Sequence, residues 1–318
     1  MKSQTDEERN NVIGRTTMYD AIVIGAGPAG LQAALTLGRM HRSTLLLDSG
    51  EYRNGTVLHM HNMIGADGTA PAQLRATARA ELSAYDDVEI RDAAAMSVSG
   101  AEDAFVVGIS DGSVVEGRQV ILATGVADDL PDVPGLQNLW GTLAFSCPFC
   151  DGHEHAGRPI AILGAAPRAA HLIGLLGRIV GDVTVFPVGE MFADEDIQML
   201  EAKGVRVSPA PVSSLEKVDG GVRIRTHHDE HVVDGIFVAA GSMRQRSPLV
   251  AQLDLQMLES GCIEIDEFGR TSLPGVFAAG DLAHRATLPG PMASVLLAAA
   301  AGQLAAVGII QSLLAAEH

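Results

Sequence analysis

Short apolar runs alternate along the chain with glycine turns and alanine-rich stretches, a rhythm that predicts parallel strands joined by helices. Tyr19-Asp20-Ala21-Ile22-Val23-Ile24 is a run of strand type, followed at once by Gly25-Ala26-Gly27-Pro28-Ala29-Gly30 and an Ala/Leu-rich helical stretch to Arg39. A second strand run, Ser43 to Leu47, ends in Asp48. The pattern returns at Arg158-Pro159-Ile160-Ala161-Ile162-Leu163, which leads into Gly164-Ala165-Ala166-Pro167-Arg168-Ala169-Ala170, a further helix and the strand Val183 to Phe186. Gly275-Val276-Phe277-Ala278-Ala279-Gly280-Asp281 predicts one more strand and turn, and the uncharged stretch Met292 to Ala316 a long helix.

Two strand-turn-helix-strand units in tandem predict an α/β fold of two Rossmann-like lobes, the second inserted in the first. The long last helix would return to complete the first lobe. The expected division gives residues 18–128 and 243–318 to the first lobe and 129–242 to the inserted one, with residues 1–17 a polar, disordered lead-in. In the first unit strand, glycine turn, helix, second strand and terminal acid all stand in order. Gly25, Gly27, Pro28, Ala29 and Gly30 are therefore expected to cradle a dinucleotide's phosphates, with Asp48 where a ribose carboxylate belongs.

The 47% hydrophobic residues, 35 glycines and 14 prolines are enough for two ordinary cores. A formal charge of −17 without a basic cluster argues against nucleic acid and anionic membrane surfaces as partners. The first residues lack an apolar run of signal type, and Met292 to Ala316, mostly Ala and Gly and without basic flanks, reads as a buried helix rather than a span. A cytoplasmic protein is expected.

The three cysteines form no disulfide scaffold, since two stand together in Cys147-Pro148-Phe149-Cys150 and the third, Cys262, lies far off in a strand-like pattern suited to an inert, half-buried residue. A Cys-x-x-Cys pair at a helix start favours a thiolate, because helix dipole and partner sulfur together lower one thiol to a pKa of about 7. Zinc would need two more ligands at matching spacing, and apart from His153 and His155 the sequence offers none, so no metal is expected. Trp140 either walls the substrate site or packs in a core.

Taken together, the turn at Gly25, Ala123-Thr124-Gly125, Cys147-Pro148-Phe149-Cys150-Asp151-Gly152 and Thr271 to Asp281 resemble the low-molecular-weight thioredoxin reductase family from Met18 onward. The resemblance implies FAD in the first lobe, with Asp48 near the adenosine ribose, Ala123, Thr124 and Gly125 at a strand end beside the cofactor, and Gly280 and Asp281 near the ribityl and phosphate end. It carries Asn62, in His61-Asn62-Met63-Ile64-Gly65, toward the isoalloxazine ring. It assigns Cys150 to the sulfur beside the flavin, Cys147 to exchange with the outside substrate, and Asp151 to acid-base work. Asp151 reads equally well as a helix-start carboxylate, and His153 and His155, in pattern surface histidines, are the alternatives for the acid-base role. Family members are generally homodimers, which the apolar last helix suits.

The second lobe departs from the reductases. Ala166 replaces the glycine at the pyrophosphate, and Pro187-Val188-Gly189-Glu190 after the second strand offers no arginine for a 2′-phosphate, which puts NADPH in question. The pattern is similar to the branch that contains the gliotoxin, holomycin and romidepsin dithiol oxidases, and implies a small-molecule dithiol as substrate and oxygen as electron acceptor. A thioredoxin reductase-like enzyme that reduces a protein disulfide with NADPH or another donor is the alternative.

Overall fold

The computed structural model describes residues 18–317. The expected lead-in, residues 1–17, lies outside the described residues. The described chain divides into two compact units, residues 18–51, 75–126 and 245–317 in one and 52–74 with 127–244 in the other.

In the first unit, β1 (Met18–Ile24), α1 (Pro28–Arg39) and β2 (Thr44–Leu47) form the predicted opening unit, followed by α2 (Pro71–Leu82) and β3 (Val88–Arg91). β4 (Ala95–Ser99), β5 (Phe105–Ile109) and the nine-residue β6 (Val114–Leu122) complete a sheet in the order β3-β2-β1-β6-β5-β4. β6 is long enough to serve two partners on one edge: Val114 to Gly117 pair antiparallel with β5, and Val120 to Leu122 pair parallel with a late strand, Val276–Ala278. All of β2 and nearly all of β1 is buried, as strands covered on both faces must be.

α1 starts at Pro28, whose missing N–H costs nothing at a first helical position. It ends as His41 turns left-handed at φ 52° and returns its N–H to the Gly38 carbonyl. Its buried face includes Ala29, Ala33, Leu37, Gly30 and Ala34.

The second unit begins, in chain order, with β7 (Val126–Asp129), which leaves the first unit, then α3 (Leu136–Leu139), β8 (Ala144–Phe145) and α4 (Pro148–Asp151). Next come β9 (Ile160–Gly164), α5 (Ala166–Leu176), β10 (Val183–Phe186), α6 (Asp194–Glu201) and β11 (Arg206–Val207). These and β15 (Gly235–Ala239) build a parallel five-stranded sheet, β11-β10-β9-β15-β8. A three-stranded antiparallel sheet of β12 (Ser214–Val218), β13 (Gly221–Arg225) and β14 (Glu230–Val233) precedes β15. β16 (Ser242–Gln245) pairs with β7 as the chain leaves, and α7 (Leu249–Gln252), β17 (Ile263–Glu264), β18 (Val276–Ala278), β19 (Ala283–His284) and α8 (Val295–Ala316) close the first unit.

Two placements differ from the sequence reading. Residues 52–74, expected in the first lobe, group with the second, because Arg53 grips Asp128 through two hydrogen bonds of 3.0 and 2.7 Å and Gly141 packs without a side chain against Thr56. α8 is not buried all round: Ala298, Gly302, Ala305, Ile309 and Leu313 form an inward stripe, while Leu296, Leu297, Leu304 and Leu314 lie exposed. A helix apolar on every side carries no periodic signal for which face turns in. By length and composition alone α8 could cross a membrane.

α8 approaches α1 so closely that a Cβ on Gly302 would strike the Ala29 carbonyl. Gly302→Ala is expected to cost about 1–3 kcal/mol in urea unfolding, as overpacking against backbone does. Gly174→Ala, on the open side of α5 with nothing within 4 Å of the new methyl, is expected to be stabilising by roughly 0.5–1 kcal/mol.

Candidate active site

In the first unit the glycine turn is a cradle built by close approach. Gly25, at φ +111°, faces the Ala123 carbonyl and has no room for a side chain, and Gly30 faces the Gly25 carbonyl in the same way. Gly27 is different: a methyl there would meet nothing within 4 Å, so open space lies at the N-terminus of α1 where its unpaired N–H groups point. Gly280, at φ +93°, stands over the same place, a Cβ on it falling 3.2 Å from that of Ala29. Thr124, between Ala123 and the left-handed Gly125, has a buried hydroxyl without a hydrogen-bond partner among the described residues.

Asp48 ends β2 buried; it accepts the Gly50 N–H at 2.9 Å and an Arg79 N–H at 2.7 Å. The unit therefore gathers Gly25, Gly27, Pro28, Ala29, Gly30, Asp48, Ala123, Thr124, Gly125, Gly280 and Asp281 at the C-terminal ends of parallel strands, the usual side for a cofactor in such sheets. Open space at Gly27 and the orphaned Thr124 hydroxyl fit a phosphate-bearing cofactor. Cys262 is buried in this unit, its thiol pushed up by burial, with Sγ 3.7 Å from the Asp281 carbonyl, which suits the inert role expected of it.

The dithiol lies in the second unit. Cys147 and Cys150 are joined as a disulfide with Cα atoms 5.3 Å apart. Cys147 precedes Pro148 at the start of α4, whose carbonyl-side anchor is the Cys147 oxygen accepting N–H groups from Cys150 and Asp151 at 3.3 and 3.2 Å. α4 is a single turn, so the helix dipole invoked for the thiolate is that of a few peptide groups only.

Asp151 is the group most changed by its surroundings: burial first, and the Glu154 charge second, push its carboxyl up to about 7, against an opposing pull from His61. Such an acid is half ionised near neutrality and can both take and give a proton. Asn62 belongs to this second unit, left-handed at φ 62°, its N–H held by Asp67 Oδ1 at 2.7 Å. His61 and Glu154 were not singled out for roles in the sequence. Only their meeting across ninety-odd residues, at 3.5 Å, reveals them.

His155, in pattern a surface histidine, is in fact buried. Its Nδ1 meets Asp234 Oδ2 at 2.6 Å, and its ring packs 5.5 and 5.9 Å from those of Phe145 and Phe237. Burial works against the Asp234 charge, yet the hydrogen bonds from Arg158 and His155 hold that carboxyl below the usual range. His155 thus serves packing. His153 is exposed, and Trp140 packs on a core beside Leu136 and Ala144.

Residues 19–304 match the model of the pyridine nucleotide-disulphide oxidoreductases. The chain belongs to that family. Thioredoxin reductase tcpT of Claviceps purpurea is 33% identical over 311 residues, covering 94% of this chain and 96% of its own. The solved structure of HlmI is 35% identical with a TM-score of 0.85 and 93% of both chains covered. An oxidoreductase from Agrobacterium tumefaciens is 31% identical, TM-score 0.84, covering 94% and 99%. As a thioredoxin reductase-like member of the pyridine nucleotide-disulphide oxidoreductases, the chain is an enzyme that uses FAD and acts on a disulfide or dithiol substrate.

Where this family's second nucleotide would lie, the second unit keeps a cleft of about 510 Å³ at the ends of β9, β10 and β15. Ala166 borders it, but its methyl, expected in the path of a pyrophosphate, is buried with Ile160, Ile162 and Ala169 instead. Among the described lining residues Arg168 is the one base, exposed and giving one N–H to the Gly241 carbonyl at 2.8 Å; Glu190 and Asp196 outweigh its charge. That donor set does not fit a 2′-phosphate.

The raised Asp151 carboxyl has a consequence for stability. The folded chain holds this proton up to about 7 while the unfolded chain releases it near 3.8, so stability falls as pH rises between those values. Asp151→Asn is expected to gain on the wild type across that interval and to keep its advantage above it; urea midpoints at several pH values check this, and parallel curves would contradict it.

Proposed function

We propose that the enzyme is an FAD-dependent dithiol oxidase, closing a disulfide in a small-molecule dithiol with oxygen as the final acceptor. The observation that carries this is the acidic second-unit cleft, whose described lining sets one arginine, Arg168, against the carboxylates of Glu190 and Asp196 where a nicotinamide dinucleotide phosphate would need several bases. The resemblance of the motifs to the gliotoxin, holomycin and romidepsin dithiol oxidases supports it. Electrons must then enter through the cysteines.

In that direction one substrate thiol loses its proton to the Asp151 carboxylate, and the thiolate attacks Cys147 Sγ. The Cys147–Cys150 bond breaks, a mixed disulfide forms on Cys147, and Cys150 departs as thiolate. The second substrate sulfur, as thiolate, then displaces Cys147 and leaves as the cyclic disulfide. The electron pair now rests on the two cysteines, and the two protons released by the substrate rest on the cysteines and Asp151 or have passed to solvent. FAD, when bound, would supply the two-electron acceptor for re-forming the Cys147–Cys150 bond, with oxygen as the final oxidant in this reading. Asp151, poised at about 7, returns its proton as easily as it took it.

A second reading, reduction of a protein disulfide by NADPH or another donor, is favoured by the name thioredoxin reductase carried by the Claviceps relative. Anaerobic mixing separates the two. Bleaching of the flavin band by dithiothreitol alone, with recovery in air and no response to NADPH, is the expected result; rapid bleaching by NADPH would make the enzyme a reductase. Asp151→Asn is expected to slow the dithiol-driven step by about 10²–10⁴, the usual range for losing a general acid-base group.

A further inference from the structure

The thiol-exchange steps leave without a task the apolar side chains exposed beside the dithiol. Phe149, between the two cysteines, is 66% exposed on the one-turn helix α4. The inner side of the motif is full: a Cβ on Gly152 would strike the Pro148 carbonyl and the Leu176 side chain of α5. Segment 52–74 adds Leu58, exposed, and Ile64, 93% exposed. It meets the turn after α4 where His61 Nε2 lies 3.5 Å from Glu154 Oε1, three residues before Ile64 in one segment and five after Phe149 in the other. The loop that carries Ile64 is braced. Met60 N–H donates to the Thr69 carbonyl at 2.9 Å, Gly68 N–H to the Met60 carbonyl at 2.8 Å, and Asn62 N–H to Asp67 Oδ1 at 2.7 Å, so Ile64 is held in water at the tip of a closed turn.

Single exposed apolar residues are ordinary, but three large ones on two segments that meet at a redox-active disulfide mark a binding surface. Charge narrows what binds there. Residues 52–74 and 144–156 hold three acids, Asp67, Asp151 and Glu154, and one arginine or lysine, Arg53, whose guanidinium grips Asp128. The carboxylates of Asp67 and Glu154 are open to solvent. An anionic group on the substrate would therefore face exposed carboxylates with no lysine or further arginine to pair with, whereas an uncharged apolar body would take Phe149 and Ile64 out of water.

We propose that Phe149, with Ile64 and Leu58, selects the substrate: an uncharged dithiol whose two thiols are carried on an apolar body. Phe149 adjoins Cys150 in the chain, so a body resting on its ring brings the thiols to the disulfide, where they exchange with the Cys147–Cys150 bond as any dithiol does. The apolar surface supplies affinity, and the acids around it exclude dithiols that carry a carboxylate.

The inference rests on the dithiol-oxidase reading, and its test separates the two. In the FAD-loaded enzyme, anaerobic flavin bleaching is timed against concentration for benzene-1,2-dimethanethiol, dithiothreitol, dihydrolipoamide and dihydrolipoate; the last two differ in an amide against a carboxylate. Dihydrolipoamide is expected to act at about fivefold lower concentration than dihydrolipoate, the scale of one repulsion between exposed charges. Phe149→Ala is expected to raise the half-saturating concentration of benzene-1,2-dimethanethiol about tenfold, the low end for one lost apolar contact, and to raise that of dithiothreitol less. Phe149→Leu is expected to recover most of the loss. Ile64→Ser, far in the chain from the cysteines, is expected to act in the same direction, and it carries the test should Phe149→Ala disturb α4. Equal action of dihydrolipoamide and dihydrolipoate, half-saturation unmoved by Phe149→Ala and Ile64→Ser, or faster bleaching by a reduced thioredoxin-like protein than by the arene dithiol would overturn the proposal. Failure of all four dithiols to bleach the flavin would remove the oxidase reading, and this inference with it.

Discussion

Backbone packed directly on backbone at the mouth of the first sheet is the constraint on which the rest of this molecule depends. Gly25 lies under the Ala123 carbonyl, Gly30 under that of Gly25, and Gly302 of α8 on Ala29 of α1. Without side chains at these places α1 settles at the ends of β1 and β6 and α8 settles on α1, burying Ala33, Ala34, Leu37, Ala305 and Ile309 in one core. The same contacts leave the open space at Gly27. Cofactor cradle and core are therefore one construction, and a methyl group that harms one harms the other.

The second unit repeats the architecture with different chemistry. β9, α5 and β10 reproduce the order of β1, α1 and β2, and Gly164 keeps the tight turn, its Cβ position blocked by Ala239 and Ala240. Yet the cleft above it carries Glu190 and Asp196, and its arginine is tied to a backbone carbonyl. Sheet packing and nucleotide affinity are separable, since the first needs only apolar strands and a turn while the second needs donors and positive charge aimed at phosphate.

Around the dithiol, polar groups divide into those that lock and those that titrate. His155 and Arg158 both meet the Asp234 carboxylate, and the His155 ring packs on Phe145 and Phe237, which holds the turn after α4 in place. Asp151, three residues before Glu154, has no such closure: it is partly buried beside a like charge, and so stands near neutrality in its proton affinity. A rigid side supports a responsive one.

The amino-acid sequence alone determined the two βαβ units, the glycine turn, the acid at the end of β2 and the Cys147–Cys150 pair, because each rests on contacts within a few residues or on a periodicity that strands and helices impose locally. The tertiary structure decided the rest. Residues 52–74 joined the second unit through Arg53 and Asp128, far apart in the chain; His155 turned inward because Asp234 waits at the foot of β15; α8 chose its inner stripe by where α1 permits close approach. His61 has no local signal at all, and although Glu154 stands three residues after Asp151, nothing in that spacing shows its contact with His61. Their meaning arises only where the fold sets them beside Asp151, since charge acts through space and the sequence records only order along the chain.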